Sequence, residues 1–208
     1  MHSETPMPIE ESRAPSPAPA TSDAAAAQPR PVVVALIGLP GAGKSVVARA
    51  LEDQLGLRRV CRDTIRRAMF PRCAYTYAEK RAAFRATLLA LEINCMLGES
   101  SVIDGVTFAR RRDLARVDRV IGNYKFTPIP IFLDCPPDVA RARIENDVEH
   151  NRHLARDRTP EVVAEVLARF DTPPASALVL DATLPAAEVC RRAVAAVATV
   201  RGAPASAA

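Results

Sequence analysis

The most restrictive feature of this chain is the run Gly38-Leu39-Pro40-Gly41-Ala42-Gly43-Lys44-Ser45, directly behind the apolar segment Val32 to Ile37. The segment is short, continuous and rich in β-branched residues, as a strand buried on both faces must be. The run matches G-x-x-x-x-G-K-[ST] at every fixed position, and helix-forming residues follow from Lys44 to Gln54. Strand, glycine loop and helix in this order form a cradle: glycines let backbone N–H groups point inward, and the helix N-terminus adds partial positive charge. The sequence is therefore committed to a phosphate-binding loop at the carboxyl end of a buried parallel strand. A dinucleotide fingerprint does not fit, because Val46 stands where its third glycine belongs.

The ligand expected there is a nucleoside triphosphate, most simply ATP with Mg²⁺. Residues Gly38, Leu39, Pro40, Gly41, Ala42, Gly43, Lys44, Ser45 and Val46 are expected to line it. Lys44 would reach the β- and γ-phosphates, and the Ser45 hydroxyl would ligate magnesium. Lysine is scarce in this chain, with Lys44, Lys80 and Lys125 the only three, so its presence at the required position adds weight.

Elsewhere the sequence alternates strand-like and helix-like stretches. Strands are predicted at Arg58 to Cys61, Ser101 to Asp104, Ile129 to Asp134 and Ala177 to Leu180. Pro130 suggests some irregularity in the fourth strand. Helices are predicted from Asp63 to a stop at Pro71, from Ala78 to Leu97 before Gly98, at Pro137 to Asn146, and at Pro185 to Val200. Thr159, Pro160 and Glu161 open a further helix as N-cap, first-turn proline and acid at the positive dipole end. Its apolar face is Val162, Val163, Val166, Leu167 and Phe170. This order predicts an α/β fold: a five-stranded parallel sheet with helices on both faces. In such sheets ligands gather at the carboxyl ends of the strands.

Residues 1–31 hold seven prolines with many Ala and Ser, too little apolar surface to offset ordering, and are predicted to form a disordered tail. The domain is expected over 32–201, with 202–208 frayed. The formal net charge is +4, and the tail is acidic (Glu4, Glu10, Glu11 and Asp23 against Arg13 and Arg30), so the body is the more basic part. That suits an anionic ligand. No apolar run approaches the roughly 20 residues needed to cross a bilayer. The N-terminus also lacks a signal-peptide plan, so a cytoplasmic protein with no membrane partner is expected. Cys61, Cys73, Cys95, Cys135 and Cys190 have no zinc or disulfide spacing and read as small core residues.

Beyond the loop, Cys61-Arg62-Asp63-Thr64-Ile65-Arg66 follows the second strand, and Val102-Ile103-Asp104-Gly105 ends the third, with Arg110-Arg111-Arg112 downstream. An arginine-rich stretch runs from Arg152 to Arg158. With the phosphate loop, this resembles the small P-loop kinases around polynucleotide 5′-kinase, zeta toxins and chloramphenicol phosphotransferase, over about residues 32–174. The resemblance implies an ATP-dependent phosphotransferase acting on a hydroxyl, with Lys44, Asp63 and Arg158 catalytic. Asp63 matches the acid that takes the proton of the substrate hydroxyl, which an alcohol needs because it is a poor nucleophile until oriented. A plain helix N-cap is the competing role for Asp63. Arg66 matches an arginine that holds the acceptor, with Arg67 its rival, and Arg111 is placed with the same substrate.

Asp104 is expected to face magnesium and substrate and is favoured over Asp134 in Phe132-Leu133-Asp134. Arg152, Arg156 and Arg158 would belong to an arginine-rich lid over ATP, where a guanidinium stabilises charge on the transferring phosphoryl group. His150 and His153 in that stretch read as exposed lid residues. The acceptor stays open between a small molecule, a nucleotide and a nucleic acid end. Single-strand binding usually uses aromatic platforms, and aromatics are only 4% here, although Phe70, Tyr75, Tyr77 and Phe108 are available to an acceptor pocket. A zeta-toxin-like nucleotide-sugar kinase and a non-catalytic nucleotide-binding regulatory module are the alternatives.

Overall fold

The computed structural model describes residues 29–150 and 159–202. Most of the expected tail and the frayed end fall outside the described residues, as does 151–158 with Arg152, His153, Arg156 and Arg158. The element order is β1 (Val32–Ile37), α1 (Lys44–Leu55), β2 (Arg58–Cys61), α2 (Arg62–Met69), α3 (Tyr77–Met96) and β3 (Ser101–Asp104). It continues with α4 (Arg111–Gly122), β4 (Thr127–Asp134), α5 (Pro137–Glu149), α6 (Glu161–Leu167), β5 (Leu178–Asp181) and α7 (Ala186–Arg201).

The five strands form one sheet in the order β2-β3-β1-β4-β5, and every neighbouring pair is parallel. β1 is the middle strand, and all six of its residues are buried. Side chains alternate across a strand, so β1 feeds two cores. Val32, Val34 and Leu36 pack with Val47 and Leu51 of α1 and with Val194 and Val197 of α7. Val33, Ala35 and Ile37 pack with Leu91 of α3 and with Val117 and Ile121 of α4. Helices therefore cover both faces, as the apolar character of the strand requires.

One helix was not anticipated. α4 carries Leu114, Val117, Val120 and Ile121 at helical spacing, but its charged composition (Arg111, Arg112, Asp113, Arg116, Asp118 and Arg119) hid that stripe. β4 begins two residues earlier than expected, despite Pro128 and Pro130. Its register with β5 starts only at Ile131, whereas pairing with β1 runs from Thr127. Both prolines lie where β4 has an open side, so their missing N–H groups are tolerated without irregularity. Cys95, Cys135 and Cys190 are core residues as expected, but Cys61 and Cys73 are only half-buried. In α6, Val163 and Val166 are buried whereas Leu167 is exposed.

The two ends of the folded body are tied together below the sheet. The Arg30 N–H donates to Arg201 O, and Arg201 Nη1 donates to Leu55 O at the end of α1 at 2.7 Å. Among the described residues no helix is long and apolar enough to cross a membrane.

α3 starts with a capping box: the Thr76 hydroxyl accepts from the Glu79 N–H, and the Glu79 carboxylate accepts from the Thr76 N–H at 2.8 Å. These bonds hold the Glu79 carboxyl below its ordinary value, the Thr76 backbone N–H being the largest cause. A lowered carboxyl contributes stability that is present above its unfolded pKa and is lost as pH falls through the folded value. Glu79→Gln should therefore melt below the wild type at neutral pH, and the gap should close on acidification below the ordinary Glu value; melting curves across that range test it.

Candidate active site

The strand order puts β3 and β1 side by side while their outgoing connections leave in opposite directions, toward β2 from β1 and toward β4 from β3. This is the crevice where ligands settle in open α/β sheets. The loop of residues 38–45 and the end of β3 meet there.

The loop owes its shape to glycine. Gly41 and Gly43 have φ of 85° and 92°, which other residues adopt only with strain. Gly41 also lies against the backbone of α5, where an added Cβ would run into Ala140 O, whereas nothing lies within 4 Å of a Cβ at Gly43. Gly43 caps α1 with no side-chain hydrogen bond, so the first N–H groups of that helix are left for a ligand. Lys44 is 6% exposed, and its Nζ donates to Gly38 O (2.9 Å) and Leu39 O (2.7 Å). Gly38 N–H donates to Thr107 O, which joins the loop to the segment after β3.

Asp104 ends β3 and is 2% exposed. Its Oδ1 accepts from the Ser45 hydroxyl at 2.8 Å and from the Gly105 N–H at 2.7 Å. Its Oδ2 accepts from Arg59 Nη1 at 3.3 Å, and Arg59 Nε donates to Glu52 at 2.7 Å. Glu52 first, and Asp104 after it, raise the Arg59 guanidinium above its ordinary value. A buried carboxylate is costly unless several donors hold it, and here three do.

Asp63 is the second residue of α2, whose N-cap is Cys61, so the N-cap role considered for Asp63 does not apply. Its carboxylate pairs with Arg66 at 2.9 Å and approaches Arg62 at 3.7 Å. Arg66 is 3% exposed and stacks on Tyr75 at 4.5 Å, which desolvates the guanidinium while satisfying it. Arg67, its rival, is exposed. Gly105 (φ 74°) holds the two acids together, because a Cβ there would stand 3.2 Å from Asp63 Cγ.

Two cavities open here. One of about 450 Å³ runs from the P-loop past Arg59 and Asp104 to Arg143, Asn146, Ala182 and Leu184. A smaller one, about 140 Å³, opens between Pro40, Lys44 and Ser45 on one side and Asp63, Arg66 and Lys80 on the other. Of the residues picked from sequence, the structure brings Lys44, Ser45, Asp63, Arg66 and Asp104 together. Val46 is 40% exposed and lines the larger cavity. Asp134 is exposed at the end of β4, on the other side of β1 from β3 and Asp104. Arg111 lines neither cavity; its N–H donates to Asp171 and its Nε to Thr172 O. Phe108 belongs to the core and Tyr77 is exposed, whereas the Tyr75 ring lies against Arg66 and the Phe70 N–H donates to Arg66 O. His150 is exposed as expected.

Sequence reasoning missed Arg59, Arg143, Lys80 and Arg169. Arg59 sits one residue into β2 and reads as a strand edge until the register places it near Asp104. Arg143 Nη2 donates to Ala182 O at 2.9 Å and ties α5 to the loop after β5, a contact between segments far apart in sequence.

A phosphate loop, a buried acid at the next strand and parallel strands covered on both faces define a P-loop nucleoside-triphosphatase fold of the kinase-like type. Residues 33–174 match the AAA domain family, and the chain belongs to it. No curated protein sequence matches it. Solved structures share the fold. A kinase-like protein of Chloroflexus aurantiacus is 22% identical over 78% of this chain and 96% of its own, with a TM-score of 0.63. A gluconokinase of Sinorhizobium meliloti is 19% identical over 84% and 96%, with a TM-score of 0.61. The APS kinase CysC of Mycobacterium tuberculosis, solved in complex with AMPPNP and APS, is 18% identical over 80% and 97%, with a TM-score of 0.60. At these identities the likeness establishes the fold alone.

Gly41 and Gly43 separate strain from collision. Gly43→Ala should cost about 1–2 kcal/mol, the penalty of a left-handed backbone. Gly41→Ala adds the encounter with the Ala140 carbonyl and should melt clearly lower than Gly43→Ala by calorimetry.

Proposed function

We propose that this protein is an ATP-dependent kinase that transfers the γ-phosphoryl group to a hydroxyl of a small acceptor, through a domain spanning 32–201. The observation that carries the reading is the juxtaposition of Asp63 with Asp104 across Gly105, beside the P-loop. A nucleotide-binding module needs the loop and Asp104, but gains nothing from a second carboxylate where the two cavities meet.

In this reading the larger cavity takes ATP. The loop N–H groups and Lys44 hold its phosphates, and the base lies toward Arg143, Asn146 and Leu184. The Ser45 hydroxyl and the Asp104 carboxylate are hard oxygen donors in contact with each other, a pair that fits Mg²⁺, which keeps several waters and needs few protein ligands. Bound there, Mg²⁺ would neutralise charge building on the phosphates. The acceptor hydroxyl lies against Asp63. Its oxygen attacks the γ-phosphorus, the bond to the ADP oxygen breaks, and the proton passes to the Asp63 carboxylate. Arg66, braced by Asp63 and Tyr75, orients the acceptor. Arg158, with Arg152 and Arg156, remains the candidate for a guanidinium closing over the γ-phosphate.

Asp63→Asn should keep ATP affinity but lower acceptor-dependent turnover about 10²–10⁴-fold, the usual worth of a positioned acid–base group. Lys44→Ala should weaken ATP binding as well. Coupled measurement of ADP over a panel of alcohols reads both. Tight ATP binding with negligible turnover, indifferent to Asp63→Asn, would turn the assignment to a non-catalytic regulatory module.

A further inference from the structure

We infer that the outer face of α3 is a homodimer interface, on which the same helix of a second copy packs antiparallel. The inference does not depend on the kinase reading.

α3 buries Ala83, Thr87, Leu91 and Cys95 along one face, and packs there against α2, α4 and β2. The opposite face is also apolar. Leu89 lies between Thr87 and Leu91 in sequence, and Ile93 between Leu91 and Cys95, so both point about half a turn away from the core. Leu89 is 57% exposed, and Ile93 and Met96 are exposed with it. Ala82 and Ala86, half-buried, extend the same stripe toward the start of the helix. The spacing of Ala82, Ala86, Leu89, Ile93 and Met96 is four, three, four and three, the heptad seam of a helix that packs on another helix.

The stripe complements itself only when read backwards. Its amino half is small and its carboxyl half is bulky. An antiparallel copy sets Ala82 against the partner's Ile93 and Ala86 against the partner's Leu89. Charge follows the same rule. Arg85 and Glu92 are seven residues apart, so they share one flank of the seam, a flank that faces its own counterpart in an antiparallel pair. Arg85 thereby meets the partner's Glu92, twice by symmetry. The midpoints of all three pairings fall at residues 87–89, so one two-fold axis satisfies size and charge together. Glu92 already accepts from the Tyr124 hydroxyl at 3.4 Å, and a carboxylate has room for a further donor. A parallel pair would set alanine on alanine at one end and bulk on bulk at the other. One helix seam is small for a specific interface, so association in the micromolar range is expected.

Sedimentation equilibrium of the full chain across micromolar concentrations should show monomer and dimer in exchange. Leu89→Glu should leave only monomer with an unchanged far-ultraviolet circular dichroism spectrum. Arg85→Glu should raise the dissociation constant about tenfold, since two opposite-charge pairs become like-charge pairs, and R85E/E92R should recover most of that loss. A chain that stays monomeric throughout overturns the inference. If Leu89→Cys is nonetheless shielded from a thiol reagent in that monomer, read at that residue by mass spectrometry, another segment of the same chain covers the stripe, which equally overturns it. A dimer indifferent to Leu89→Glu places the contact elsewhere and refutes this face. A dimer weakened by Arg85→Glu but not recovered in a folded R85E/E92R variant refutes the antiparallel pairing.

Discussion

Everything at the rim of the sheet is organised around a buried carboxylate. Asp104 is 2% exposed, and an ion so placed is stable only if donors surround it. The fold supplies them from three directions: the hydroxyl of Ser45 at the start of α1, the backbone of Gly105, and the guanidinium of Arg59 from β2. The same contacts fix the first turn of α1 relative to β3, and hence the P-loop relative to the segment after β3. β1 lies between, fully buried, and gives one alternate set of side chains to each core. A shift of one residue in its register would exchange the two cores and part Ser45 from Asp104.

From that anchor the two sides of the site acquire different characters. Toward α5 and the loop after β5, the larger cavity mixes apolar and polar side chains. Toward α2 and α3, the described charged residues lining the smaller cavity are mostly cationic around Asp63. Asp63 lines both cavities, and it packs against Gly105 at the end of β3. The missing side chain of that glycine therefore lets Asp63 lie close to the residue that follows Asp104.

Much of this was legible in the sequence, for identifiable reasons. β1, β2 and β3 have the limits predicted for them, and the P-loop motif carries its own structural context. The parallel sheet with helices on both faces followed from the alternation of elements. α4 was missed because its apolar stripe is narrow among arginines and aspartates. The prolines of β4 looked disruptive because sequence does not reveal which side of a strand is open. Asp63, Arg66 and Asp104 could be picked out as motif positions, but their proximity depends on β3 lying between β1 and β2. Lys80 and Arg169 belong to no motif, and only the tertiary fold brings them to one cavity. The position of Arg111, bonded to Asp171 and Thr172, likewise came from the packing of α4.

The tie between Arg30, Arg201 and Leu55 has a practical side. α1 begins at the P-loop and ends at Leu55, so this knot lies a full helix length from the P-loop, at the amino-terminal edge of the strands. A reporter, affinity handle or surface linkage attached beyond either Arg30 or Arg201 would thus emerge from the floor of the molecule. An immobilised or fused form would keep the P-loop and both cavities facing outward, open to bulk solution.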